Sequence, residues 1–325
     1  MGISPHISVR SCAKLARAVW RSRSLARVRR AADHQDRDFR PPARCAARPA
    51  KPALAERRAA RLVSRRASFD RDGNLYVVNI PYGQVLLVSP GGEFTSVATW
   101  DGEPNGLKIH KDGRIFIADH ACGLMVLDPR TGTVEPCLDR PRRERFKGLN
   151  DLHFARNGDL YFTDQGEADL RDPTGRLWRL RADGTLELLL SNVPSPNGLV
   201  LTLDEGIRYL AVTRGNAVWR VPLNPDGSLG RVGIFIQLSG GTGSDGMAMD
   251  AEGNLAVCHV GMGSVWLFGR LGRPLYEIQS TTGHATTNAA YGGPDGKTLY
   301  ITESETGTIL QARLEIAGLP LYSHQ

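Results

Sequence analysis

Long hydrophobic runs are missing from this 325-residue chain. No apolar stretch reaches the roughly 18 residues that span a bilayer, so a helical membrane protein is excluded and no membrane partner is expected. Cysteine is sparse and badly spaced. Cys12, Cys45, Cys122, Cys137 and Cys258 are odd in number and include no CxxC pair, which argues against a zinc ribbon or a disulfide framework and for a reducing compartment. Acidic residues are nearly missing from one end. Residues 1–66 carry 18 Lys and Arg against Asp33, Asp36, Asp38 and Glu56, while the remainder carries 23 basic and 30 acidic residues. The formal net charge of +7 therefore describes a basic head on an acidic body. The head lacks interleaved aromatics and any recognisable binding fold, so a nucleic-acid partner is not expected.

Residues 1–64 are Arg- and Ala-rich, with scattered Pro and no period of 2. Such a segment cannot bury enough apolar surface to offset its ordering entropy. The expectation is a disordered or non-native head. Its first 30 residues are Arg-rich and free of acids, which is also the composition of a mitochondrial transit peptide. The expected location is cytoplasmic, or mitochondrial if the head is such a peptide.

From residue 65 to 325 the pattern changes. The phrases "DRDGNLYVV", "HKDGRIFIA", "ARNGDLYFT", "LDEGIRYLAV", "AEGNLAVC" and "PDGKTLYIT" recur with turn glycines at 73, 113, 158, 206, 253 and 296, spaced 40 to 48 residues apart. Each is an acidic or amide residue and glycine at a turn, followed by β formers, a strong hairpin signal. Further strand-like segments come next in each unit. Six units of about four antiparallel strands predict an all-β, six-bladed β-propeller. The sixth unit supplies only "TTNAAYG", "TLYITE" and "TILQARL". A closing strand would have to come from "PALAERRAARLV", a poor β former.

Eight residues before each turn glycine, nine in the fourth unit, stand Arg65, Asn105, Asn150, Asn197, Asp245 and Asn288. These positions open the innermost strands and should ring one mouth of the central channel. For a single Asn-Gly or Asp-Gly, turn chemistry is explanation enough. Five on one ring argue for converging oxygens that suit a hard divalent cation. A second set, Asn79, Asp119, Asp164, Thr213, His259 and Glu303, ends the second strands and should rim the same mouth. His259 is the histidine placed there as a substrate contact or a base near neutral pH.

The segments "KGLNDLHFARNGDLYFTDQG", "SPNGLVLTLDE", "SDGMAMDAEGNLAV" and "TTNAAYGGPDGKTLYITES" resemble the senescence-marker-protein/gluconolactonase/luciferin-regenerating-enzyme family over roughly residues 67–313. The resemblance implies one divalent metal, calcium ahead of zinc, manganese or magnesium. Asn197 and Asp245 would match two ligands, and Asn150 would lie at the metal or its water. Asp245 would double as the catalytic base. Asn105, Asn150, Asn288 and His259 are the candidate substrate contacts. The family's blade-one Glu is missing, and Arg65 is expected in its place, changing the ring's formal charge from −2 to 0. The activity this implies is that of a metal-dependent hydrolase acting on a small lactone or ester, impaired by Arg65. The alternative is a non-catalytic propeller that binds a small ligand or a protein on its channel face.

Overall fold

The computed structural model describes residues 64–324. Twenty-three strands form six antiparallel sheets. Blade one holds β1 (Ser64–Phe69), β2 (Leu75–Asn79), β3 (Gln84–Val88) and β4 (Phe94–Thr99). Blade two holds β5 (Pro104–Ile109), β6 (Ile115–Asp119), β7 (Gly123–Asp128) and β8 (Thr133–Leu138). Blade three holds β9 (Leu149–Phe154), β10 (Leu160–Asp164), β11 (Gly175–Leu180) and β12 (Leu186–Val193). Blade four holds β13 (Pro196–Leu201), β14 (Ile207–Val212), β15 (Ala217–Pro222) and β16 (Gly233–Gln237). Blade five holds β17 (Gly243–Met249), β18 (Leu255–Val260), β19 (Ser264–Phe268) and β20 (Pro274–Gln279). Blade six holds β21 (Thr286–Gly292), β22 (Thr298–Glu303) and β23 (Thr308–Arg313). This is the six-bladed propeller that the repeat predicts.

The turn glycines do what the repeat requires. Gly73 and Gly113 have φ of +81° and +90°, with open space where a Cβ would sit, so conformation alone selects glycine there. Blade four differs. Its left-handed residue is Glu205, with φ of +55°, which accommodates the extra residue of "LDEGIRY".

The core is divided into six apolar clusters, one at each blade interface. Tyr76, Val78 and Trp100 of the first unit pack on Leu107, Ile115 and Met125 of the second. Four more clusters repeat this between successive blades. The sixth joins the ends of the ring: Ala67, Phe69, Leu75 and Val77 meet Ala290 and Ile309. Phe69 also sets its ring edge-on to Tyr300, 4.9 Å between centroids. Among the described residues no fourth strand pairs with β23, so the ring closes here by side-chain packing. The segment expected as a closing strand, and the head as a whole, lie outside the described residues.

The C-terminal segment takes another course. It runs along the channel's far end, where Gly318 bridges Asp250 and the Leu319 N–H donates to the Met249 carbonyl at 2.9 Å. Tyr322 then stacks on Phe154. The inner strands β1, β5, β9, β13, β17 and β21 each touch both neighbouring inner strands, which encloses the channel. No helix among the described residues is long and apolar enough to cross a membrane.

Candidate functional site

Every inner strand breaks register at the same height. The pairing jumps between Ser64 and Ala67 in β1, Pro104 and Gly106 in β5, Leu149 and Leu152 in β9, Pro196 and Leu199 in β13, Ser244 and Met247 in β17, and Thr286 and Asn288 in β21. A bulge bends its strand and re-aims a side chain. Here six bulges turn a set of polar side chains toward the axis. The glycines beside three of them are in strands, not turns. A Cβ on Gly106 would lie 2.5 Å from the Asn150 carbonyl oxygen, and one on Gly198 2.4 Å from that of Asp245. Close approach of neighbouring blades, rather than turn chemistry, therefore selects the Asn-Gly and Asp-Gly pairs.

At the centre of these bulges lies the guanidinium of Arg66, 2% exposed. Its Nη2 donates to Asn150 Oδ1 at 3.0 Å and to Asn197 Oδ1. Its Nη1 donates to Asn288 Oδ1 at 3.3 Å. Asp245 Oδ1 lies 3.2 Å from Nη2, and Asp151 Oδ2 lies 3.6 Å from Nη1. Five oxygens from blades three, four, five and six thus surround one cation.

The amides are held so that oxygen faces inward. Asn150 Nδ2 donates to Gln165 Oε1 at 2.5 Å, and Gln165 in turn donates to Ser195 Oγ. Asn197 Nδ2 donates to Thr213 Oγ1 at 3.0 Å, whose hydroxyl is anchored on the Ser244 carbonyl. With both NH2 groups spent outward, the carbonyl oxygens are left for the axis.

The ring differs from the expected one in two members. Arg66, seven residues before its turn glycine, points to the axis where the spacing predicts Arg65; the side chain of Arg65 lies outside the described residues. The cause is the β1 bulge, which spans two arginines, so counting back from the glycine is off by one. Asp151 is the other addition. It stands where the sibling strands have Gly106, Gly198 and Gly246, and that break in "LND" is the signal the sequence offers for it. With Arg66, Asp151 and Asp245 the ring carries a formal charge of −1, not 0. Asn105 is buried at its ring position but is not among the guanidinium's partners within the described residues.

In the second set, Thr213 holds the ring residue Asn197, while Asp119, Glu303 and His259 serve the loops. Asp119 Oδ1 accepts the backbone N–H groups of Glu103, Ala121 and Cys122, and its Oδ2 accepts Trp100 Nε1. Burial pushes its carboxyl up, against those hydrogen bonds. Glu303 accepts from the backbones of Ala285, Glu305 and Thr306. His259 is 2% exposed and its Nε2 faces the Gly240 carbonyl at 3.0 Å. Burial lowers its pKa. These placements brace the mouth rather than line it.

Beyond the ring, the channel narrows to a cavity of about 60 Å³ lined by Lys108, His153, Val200, Met247, Tyr291 and Tyr322. Burial lowers the pKa of Lys108, opposed by the charge of Asp151, and drives that of His153 down to about 3.

The family model for the SMP-30/gluconolactonase/LRE-like region matches residues 66–305. This chain belongs to that family. Among its relatives is a gluconolactonase of Zymomonas mobilis, 30% identical over 248 residues, 70% of this chain and 67% of the relative. Lactonase drp35 of Staphylococcus haemolyticus is 29% identical over 222 residues, 65% of this chain and 67% of the relative. The solved structure of regucalcin from Agrobacterium tumefaciens, described as calcium-binding, has a TM-score of 0.70 at 24% identity, covering 81% of this chain and 95% of that one. A gluconolactonase of Xanthomonas campestris has a TM-score of 0.70 at 21% identity, covering 89% and 100%. Both structures share the propeller fold.

The ligand positions that the resemblance implies for a divalent metal, Asn150, Asn197 and Asp245, do converge on one point, and that point is held by the Arg66 guanidinium. A guanidinium keeps its proton and has no acceptor. A divalent ion there would meet a fixed positive charge at contact distance instead of a ligand. Among the described residues no group of three or more His, Cys, Asp or Glu could hold a metal. The residues present do not fit calcium, zinc, manganese or magnesium while Arg66 is in place.

Proposed function

We propose that this chain acts on small lactones at the ringed mouth of its channel, opening them to hydroxy acids without a divalent metal. The observation that carries the reading is the convergence of Asn150, Asn197, Asn288 and Asp245 on one cation, in a family whose relatives include lactonases. Water adds to the lactone carbonyl carbon and yields its proton to the Asp245 carboxylate. The ring carbon–oxygen bond then breaks, and the same proton passes to the departing alkoxide, leaving a hydroxy acid. Asn105 and Asn288 are the ring positions offered to the substrate.

Arg66 supplies charge but little hydrogen bonding, since its Nη groups already serve the ring. It also lies 3.2 Å from Asp245 Oδ1, so that carboxylate is already engaged in an ion pair. Turnover is accordingly slow in this reading. The test is a pH-stat assay on gluconolactone and a simple γ-lactone, with EDTA present. We expect hydrolysis above the buffer rate, unchanged by EDTA and reduced at least tenfold by Asp245→Asn. Turnover equal to buffer would sink the reading.

One observation favours a second reading, a propeller that binds its ligand without turnover. The ring residues are all less than a tenth exposed and the guanidinium is spent on them. Saturable lactone or hydroxy-acid binding in the absence of hydrolysis would select it.

A further inference from the structure

We propose that Arg66 is a tethered substitute for a bound cation, and that removing its guanidinium opens a divalent-cation site in a ring that otherwise admits none. The ring's ligand chemistry can be tested apart from whether the chain hydrolyses lactones.

Three observations support it together. The first is donor type. All five atoms around the guanidinium are oxygens: three amide carbonyls from Asn150, Asn197 and Asn288, and two carboxylates from Asp151 and Asp245. That is the hard-oxygen set that suits calcium. The second is orientation. Gln165 and Thr213 hold the Asn150 and Asn197 amides with oxygen inward, so the carbonyl set does not depend on Arg66 alone for its direction. The third is charge. Taking away Arg66 leaves a formal −2 on Asp151 and Asp245, which matches one divalent ion. Those two carboxylates would lose the guanidinium that lies 3.6 Å from Asp151 and 3.2 Å from Asp245.

The guanidinium is also closely seated. A Cβ on Gly246 would lie 2.3 Å from Nη1 and 2.1 Å from Asn288 Oδ1. Its Nε is buried and without a hydrogen-bond partner. A planar five-donor group thus leaves one donor unused in a cage of acceptors, whereas a spherical ion would use every oxygen the cage presents.

The test is a calorimetric calcium titration of the full chain, paired with melting curves at increasing calcium. The variants are Arg66→Ala, Arg66→Gln and Arg66→Lys. Arg66→Gln keeps much of the side-chain volume and adds a carbonyl oxygen, so poor folding of Arg66→Ala would not end the matter. The parent and Arg66→Lys, which retains a tethered cation, should show no one-to-one calcium binding at millimolar concentration. Arg66→Ala or Arg66→Gln should bind one calcium at least tenfold more tightly than the parent and melt higher as calcium is added. Adding Asp245→Asn to either should weaken that binding. Two results would overturn the proposal: one-to-one binding by the parent as tight as by the variants, or a folded Arg66→Gln chain that binds no calcium.

Discussion

Arg66 is the residue on which the site's character turns. It is buried against two carboxylates and three amides, and removing one partner of such an arrangement leaves charge uncompensated. Without added divalent metal, Arg66→Ala should lower stability by about 3–5 kcal/mol, measured by urea unfolding. Arg66→Lys should cost less, because it retains the charge. Gly246 is the steric counterpart. A methyl group there would press on both Asn288 and the guanidinium, so Gly246→Ala should destabilise by about 1–3 kcal/mol. A loss near zero would mean that the ring is looser than its contacts indicate. Asn150, Asn197, Asn288 and Asp245 were legible from their offset of eight or nine residues before the turn glycines. Arg66 and Asp151 were not, because a bulge hides which of two adjacent residues faces the axis.

The six inner strands owe their converging polar side chains to those bulges. Strand β9 also carries a titration on its channel side. His153 lines the cavity beyond the ring, and burial holds its pKa near 3, below the 6.5 of an unburied histidine. Its folded pKa is depressed, so the neutral ring's contribution is complete above about pH 6.5 and is lost as pH falls from there toward 3. The slope reaches up to about 1.4 kcal/mol per pH unit where the unfolded histidine is protonated and the folded one is not. Urea midpoints at pH 7 and pH 5 should therefore differ less in His153→Gln than in the parent. An equal difference in both would show that His153 does not set this slope. The repeat announced the hairpins, since an Asp/Asn-Gly turn between β formers is decided locally. It did not show that Asp119 and Glu303, which end second strands, accept backbone N–H groups of the adjoining loops, or that His259 faces the Gly240 carbonyl.

At the scale of the whole molecule, the described residues join the two ends of the ring by side-chain packing. The cluster of Phe69, Leu75, Val77, Ala290 and Ile309 joins blade six to blade one. Phe69 is 5% exposed and sits close enough to Gly292 that a Cβ there would meet its ring at 2.3 Å. Phe69→Ala should cost about 3–5 kcal/mol. Amide exchange should quicken first in β1 and β21–β23. Uniform quickening in all six blades would argue that closure is shared rather than centred on this joint. Its position matters for the site, because β1 brings Arg66 to the axis.

By itself the sequence determined the number of blades, the strand order within each and the family. Those depend on short-range turn chemistry and on alternation repeated six times, both written in local residue order. It also singled out four of the positions that share the ring, Asn150, Asn197, Asp245 and Asn288. Only the tertiary structure decided what that ring contains. A register shift of one residue in β1 exchanges Arg65 for Arg66, and the convergence of four blades supplies five oxygens that no local pattern places together. The identity of the bound cation, a guanidinium from the chain itself, is a property of that convergence.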